Sequence, residues 1–396
     1  MKNTRFTKTI SFLVILFLLP ACLWAVDFGL VANVFSGYGN TESVDEATFE
    51  FKADLWPRLS FLIGDNGEFF MSAGISFADS EPALVPALLR TDFTMRFGNS
   101  GIRAGRMNYS DPLSFIASGL FDGIQLFSNS PSGRFSAGVW YTGFLYKNTA
   151  EITMTEDDQE SFVVPLDLND FNTYFAPKRM FTALEWSHPS LGEMLSINVT
   201  AIGQIDFTGA AYNNMYLLAK AGKPVNNFIF EFGGGLEIVM ESSESEKPVK
   251  LAFAGDAGLS WILPTNIFSR LSLTGKIASW QMENDISEFT PITTVYYGEI
   301  LKHKMSGLTV LSLNYSARLN EAFGTSLTAS CFYRYDEDSE ELRGPGTEIT
   351  GRLIWSPLSD LQLNLGGGAY LPALSNTGTS DKSRWFVGLS AILSIF

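Results

Sequence analysis

Residues 196 to 207, SINVTAIGQIDF, set Ser196, Asn198, Thr200, Gln204 and Asp206 on one parity and Ile197, Val199, Ala201, Ile205 and Phe207 on the other. An extended strand sends successive side chains to opposite faces, so the segment has one wet and one oily face. The pattern recurs in Leu251, Phe253, Ala257, Leu259 and Trp261, in Leu311, Leu313, Tyr315, Ala317 and Leu319, and in Leu361, Leu363, Leu365, Ala369 and Leu371. Trp385, Val387, Leu389, Ala391, Leu393 and Ile395 form the last apolar row, and the opposite rows are polar, as in Ser312, Asn314, Ser316 and Arg318. Strands this long exceed the usual globular length and match a tilted bilayer crossing. No helix with a complementary stripe and no second family of strands reads as a cover for the oily faces. Those faces are therefore predicted to meet lipid, and the polar faces water. Backbone groups cannot stay unpaired in hydrocarbon, so the predicted fold class is all-β, a transmembrane antiparallel β-barrel.

Turn chemistry gives the strand count. Short connections read GDNG (64 to 67), GNSG (98 to 101), NSPSG (129 to 133), HPSLGE (188 to 193), GKPVNN (222 to 227), LPTN (263 to 266), LNEAFG (319 to 324) and SPLSD (356 to 360), all rich in turn formers. Longer connections alternate with them near 39 to 46, 79 to 87, 110 to 120, 148 to 178, 241 to 248, 282 to 306, 336 to 346 and 371 to 381, with a short one at 208 to 211. This predicts 18 strands with both termini on the short-turn side, 16 and 20 being the neighbouring counts. TPITTVYYGEILKHK, 290 to 304, could be a further strand. It is assigned to a long loop because single-chain bacterial barrels carry even strand numbers, with short turns inside and long loops outside.

The start of the chain divides off. Lys2, Arg5 and Lys8 precede the apolar run TISFLVILFLLPA, which reads as a secretory signal peptide over 1 to 25, leaving a barrel over 26 to 396. Leu19-Pro20-Ala21-Cys22 also allows a lipid-modified Cys22. If Cys22 is removed, Cys331 is the one remaining cysteine, so neither an intrachain disulfide nor a cysteine metal set is expected. The net charge of −15 argues against nucleic acid. The acids gather in EITMTEDDQESFVVPLDLND (151 to 170), ESSESE (241 to 246) and DEDSEE (336 to 341), expected as solvated outer loops. His188 and His303 have no nucleophile arranged beside them, and the GGG runs at 233 to 235 and 366 to 368 lie inside strands. Neither an enzyme nor a cofactor is expected.

The candidate chemistry lies in RTDFTMRFGNSGIRAGRMNYSDPLSFIASGLFDG, 90 to 123. Arg90, Asp92 and Arg96 share the polar row of one strand, and Arg103 follows on the inward row of the next. Arg106 has the opposite parity, and a bulge at Gly105 is expected to return it to the lumen. Lys52 and Arg58, with Glu50 and Asp54, add charge on a preceding strand. Here the chain resembles bacterial outer-membrane porins, in an Arg-bearing strand at Gly105-Arg106, a loop over Ser110 to Leu120, and the strand opening Asp122-Gly123. The resemblance implies an outer-membrane channel for small hydrophilic solutes, narrowed by the 110 to 120 loop. Its pore-lining set would be Lys52, Arg58, Arg90, Asp92, Arg96, Arg103, Arg106, Asp111 and Asp122. It further implies contact with the lipid bilayer and with the barrel-assembly machinery through a C-terminal strand ending in Phe396, with homo-oligomerisation left open. A transporter for hydrophobic substrates of the fatty-acid type and a barrel adhesin acting through acidic loops are the alternatives.

Overall fold

The computed structural model describes residues 26–395 except 42–45, 80–83, 193, 209–211, 242–248, 282–285, 337–340 and 373–381. The expected signal peptide with Cys22, most of the two shorter acidic runs and Phe396 lie outside the described residues.

Eighteen strands form one antiparallel sheet closed on itself. The first, β1 (Val26–Gly39), pairs with both β2 (Thr48–Ile63) and the last, β20 (Arg384–Ile395). Between them run β3 (Gly67–Ala78), β4 (Val85–Phe97), β5 (Ser100–Ser110), β6 (Ser118–Ser130), β7 (Gly133–Tyr141), β8 (Arg179–Leu191), β9 (Leu195–Asp206) and β10 (Tyr212–Val225). The wall continues through β11 (Phe228–Glu241), β12 (Val249–Leu263), β13 (Phe268–Ala278), β16 (Leu308–Arg318), β17 (Phe323–Asp336), β18 (Glu341–Leu358) and β19 (Leu361–Pro372). The segment 290 to 304 adds no wall strand. Its β14 (Tyr296–Tyr297) and β15 (His303–Lys304) pair only with each other, inside the long loop. Every connection read from turn chemistry falls between the strands it was expected to join.

The oily rows face outward, with Leu313, Leu365, Val387 and Leu389 about half exposed. Tyr38 packs edge-on against Trp385, and the stacked pairs Phe228–Trp261 and Phe323–Trp355 lie beside short turns. Such rings suit the two membrane interfaces. On the inner face of β16 to β20, hydroxyls and amides join in pairs: Ser312 with Ser330 (2.8 Å), Asn314 to Thr328 (2.7 Å) and Asn364 to Ser390 (2.9 Å).

The other side of the lumen departs from the expected polar lining. Met107, Tyr109, Phe121, Trp140, Phe181, Ile202, Tyr216 and Leu218 point inward and join loop residues in one buried apolar cluster. The long loops after β5, β7 and β13 are therefore not simply solvated. They fold into the barrel and cover the inner face of β5 to β13, the loop before β16 reaching on to Val310, Phe332 and Glu348 at the far ends of β16 to β18, and the apolar inward residues are the surface they cover.

Candidate channel constriction

The 110 to 120 loop is organised by Asp111. Its carboxylate accepts the backbone N–H groups of Leu113, Phe115, Ile116 and Ala117 at 3.0, 3.3, 2.8 and 3.0 Å. Closing these bonds on one side chain turns the chain sharply, with Ser114 at φ 53°, and frees Leu113, Phe115 and Ile116 for packing. The loop reaches the facing wall. Leu113 occupies the space a side chain at Gly233 of β11 would need, 2.2 Å from an ideal Cβ there. Phe115 lies under the Lys276 ammonium of β13, 4.7 Å from its ring centroid, a cation–π contact. The glycine run of β11 thus makes room for the loop.

Two further loops brace it. The loop after β7 holds two short helices, α1 (Lys147–Ala150) and α2 (Glu156–Val163). Thr155 and Asp158 form a capping box at the start of α2. The buried Lys147 ammonium donates to the carbonyls of Ser161 (2.9 Å) and Val164 (2.6 Å) at its end, where helix carbonyls lack partners. Burial holds the Lys147 pKa below its ordinary value. Asp158 is buried as well, paired with Arg179 of β8 at 2.6 Å, and Asp206 of β9 lies 3.3 Å from the same guanidinium. The acidic loop is therefore anchored within the barrel by one of its acids. The loop before β16 is held by two wall carboxylates: Glu237 accepts the Thr290 N–H (2.8 Å), and Glu348 accepts those of Glu299 (2.5 Å) and Ile300 (3.2 Å). Thr293 then bonds to Ile116 O (3.0 Å) and, through its hydroxyl, to the Ser118 N–H (3.0 Å). Sequence reading missed Arg179, Glu237, Lys276 and Glu348. All four sit on inward parities, and a charge on the wet row opposite an apolar loop was the available signal.

The expected basic cluster separates into four places. Arg90, Asp92 and Arg103 come together, with Asp92 buried between Arg90 (2.7 Å) and Arg103 (2.6 Å). Arg90 also stacks on Phe70, 4.4 Å from its centroid. Arg58 pairs in register with Ser72, which lies opposite the irregularity at Arg90, so Arg58 stands at the same level with its guanidinium over Gly29. These groups line wall that the loops leave uncovered. Arg96 is exposed beside the short turn after β4, and Lys52, paired with Glu50 at 2.6 Å, is near the opposite mouth. Arg106 and Asp122 form a separate pair at 2.7 Å. The bulge expected at Gly105 is absent: pairing with β4 and β6 runs without a shift through Gly105 and Arg106. Arg106 therefore keeps the parity opposite to Arg103, and Gly105 instead adopts φ +120°. Of the two histidines, His188 accepts the Ser190 N–H at a turn (3.2 Å) and His303 packs on Phe332 at 4.8 Å.

No protein-family model matches the sequence, and no curated protein does. Solved structures do resemble the fold. OccK10 (OpdN) of Pseudomonas aeruginosa aligns at 14% identity and TM-score 0.62, over 93% of this chain and 99% of that one. OccK2 (OpdF) of the same organism, in complex with glucuronate, aligns at 12% identity and TM-score 0.64, over 93% and 98%. A BenF-like porin from Pseudomonas fluorescens Pf-5 aligns at 10% identity and TM-score 0.63, over 94% and 99%. The chain has the fold of these barrels: a closed antiparallel sheet of eighteen strands.

Proposed function

We propose that the protein is an outer-membrane porin of a diderm bacterium, a passive water-filled channel that selects small anionic, hydroxyl-bearing solutes. The observation that carries this reading is the division of the lumen. Three loops fill the side of β5 to β13, while the uncovered wall sets Arg90 and Arg103 on one buried carboxylate, with Arg58 at the same level on β2, and continues as the hydroxyl and amide pairs of β16 to β20. Fixed cations in a narrow lumen with low-dielectric walls attract an anion strongly, and the amide and hydroxyl side chains can exchange hydrogen bonds with a polyol. Glucuronate, the ligand in the OccK2 structure, has this combination. Export by residues 1 to 25 and assembly through β20, whose outward row runs from Trp385 to Ile395, belong to the same proposal.

The test is the reversal potential across a planar bilayer in a salt gradient. R58S/R90S removes two cations and leaves Asp92 paired with Arg103. The expected result is a shift towards cations and a larger conductance step. An unchanged reversal potential would overturn the placement of these arginines at the selective part of the channel.

A further inference from the structure

Beneath the constriction loop, towards the short turns, lies a cavity of about 590 Å³ lined by Pro112 of that loop and by residues of β6 to β11. Its size is that of a small-ligand pocket. Sheet register explains the polar part of its lining. Asn129, Arg134, Ser187, Asn198, Lys220 and Gly233 pair one after another from β6 to β11, so they form a single row across the wall. Arg134, Ser187, Asn198 and Lys220 share the parity of Trp140, Phe181, Ile202 and Leu218, which point into the lumen. At Gly233 the row meets the constriction loop, because Leu113 occupies the space there. With about 4.8 Å between neighbouring strands, the stretch from Arg134 to Lys220 spans about 14 Å.

The groups in this row keep hydrogen-bonding capacity for a ligand. Arg134 lies over the Phe127 ring, 5.5 Å from its centroid, and its guanidinium makes no hydrogen bond or ion pair with a described residue. Stacking fixes the plane of the fork and leaves its edge open to a carboxylate. The side-chain oxygen of Asn198 accepts from the Thr200 hydroxyl (3.1 Å), while its amide N–H groups have no partner among the described residues. Lys220 stands 3.6 Å from Glu231 of β11, beyond hydrogen-bond range, so each can still bind a hydroxyl. The cavity thus sets two cations, Arg134 and Lys220, against one carboxylate, with neutral hydrogen-bonding side chains between the cations.

We propose that this cavity is a second solute site, one that takes an acidic sugar with its carboxylate on the Arg134 fork and its hydroxyls on Ser187, Asn198 and the Lys220–Glu231 pair. A solute that has passed the constriction towards the short turns meets this site beside the loop. The choice of ligand class rests on the channel reading above. The residues are separate, since none of them belongs to the Arg58, Arg90 and Arg103 wall.

The test reads occupancy without conduction. In a C331S background, N129C places a thiol at the end of the row, and its modification by the neutral reagent N-ethylmaleimide is timed on the refolded barrel in detergent, with glucuronate or glucose present. Heat-modifiable gel mobility confirms that each variant is folded. Glucuronate is expected to slow the modification. R134S, which loses a charge-assisted contact, should raise the half-protecting concentration about tenfold, and N198A, which loses a neutral one, about fivefold. R58S/R90S should leave it unchanged, and the weaker protection by glucose should not respond to R134S. N198A keeps the test available if R134S does not fold. No protection by glucuronate in the parent, or a half-protecting concentration that stays parental in the folded variants, overturns the site. An R58S/R90S effect as large as that of R134S overturns it too, since binding would then lie in the channel proper and the proposed function would stand. Conversely, Arg134-dependent protection in a barrel that conducts no ions would uphold the site and refute the channel.

Discussion

Replacing Asp111 by alanine removes the acceptor for the N–H groups of Leu113, Phe115, Ile116 and Ala117. The carboxylate is 2% exposed, so water does not readily take its place. A buried donor left without a partner costs about 1–3 kcal/mol. If two of the four groups find water as the loop loosens, the remaining two cost about 2–6 kcal/mol. Opposing this, Leu113, Phe115 and Ile116 are buried, and full burial of each side chain contributes about 1.5–3 kcal/mol. The terms are of similar size, so D111A should leave the loop exchanging between docked and released states instead of displacing it outright. The wall makes its ladder without this side chain and should be unaffected. Single-channel recording of D111A is expected to show switching between the parental step and a larger one, with normal heat-modifiable mobility. D111N keeps one acceptor oxygen, which can serve two of the four donors, and should switch less often. A folded D111A with the parental step and parental noise would refute the argument that Asp111 holds the constriction.

Arginine at Val199 or Leu313 places a charge on the lipid face and should cost roughly 2–4 kcal/mol in folding titrations, whereas arginine at Asn198 or Asn314 should fold nearly normally; equal tolerance would mean that the two faces are not lipid and lumen. In C331S cells, cysteines at Glu160 and Asn169 should label with an impermeant thiol reagent, and cysteines at the short-turn positions Asn66 and Pro224 should not; labelling of both sets would undo the topology. G233V fills the space held by Leu113, so it should raise conductance while leaving barrel stability near the parental value, and an unchanged step would show that the loop does not depend on this contact. Burial raises the Glu151 pKa, with Lys302 opposing the shift only in part. The stability linked to its neutral form is therefore complete below the ordinary carboxylate range and is lost as pH rises through the raised folded value. Hydrogen exchange of the α1–α2 loop should accordingly speed up from pH 4 towards neutrality in the parent and change less in E151Q; equal profiles would remove Glu151 as the cause.

Why the wall was legible and the lumen was not follows from the physics of each. In rows such as Leu311 to Leu319 against Ser312 to Arg318, a side-chain period of two leaves a single register that keeps polar groups out of lipid. Turns such as GDNG and NSPSG have no competing use, so the connections were readable too. The inner faces of β5 to β13 follow no such rule. Phe121, Trp140 and Phe181 share the wet parity and are buried only because Leu113, Ile152, Phe289 and other residues distant in sequence fold in to meet them. Alternation reports on one strand, and this core is made by several loops. The Arg90–Asp92–Arg103 cluster is readable because its members share the inward parity of adjacent strands, Asp92↔Gly105 and Thr94↔Arg103 being successive pairs on that face. Arg106 departs from the expectation because no bulge forms at Gly105: its parity stays intact, and its guanidinium is met by Asp122 and by the carbonyls of Leu88 and Phe144, the last from the β7–β8 loop.

On the proposed function, a passive aqueous path remains open beside the three inward loops. Single-channel recording of the refolded parental protein in a planar bilayer decides whether that path exists. Long-lived ohmic steps are expected, with a reversal potential in a salt gradient that favours anions. Protein that migrates as a folded barrel yet produces no steps would contradict it.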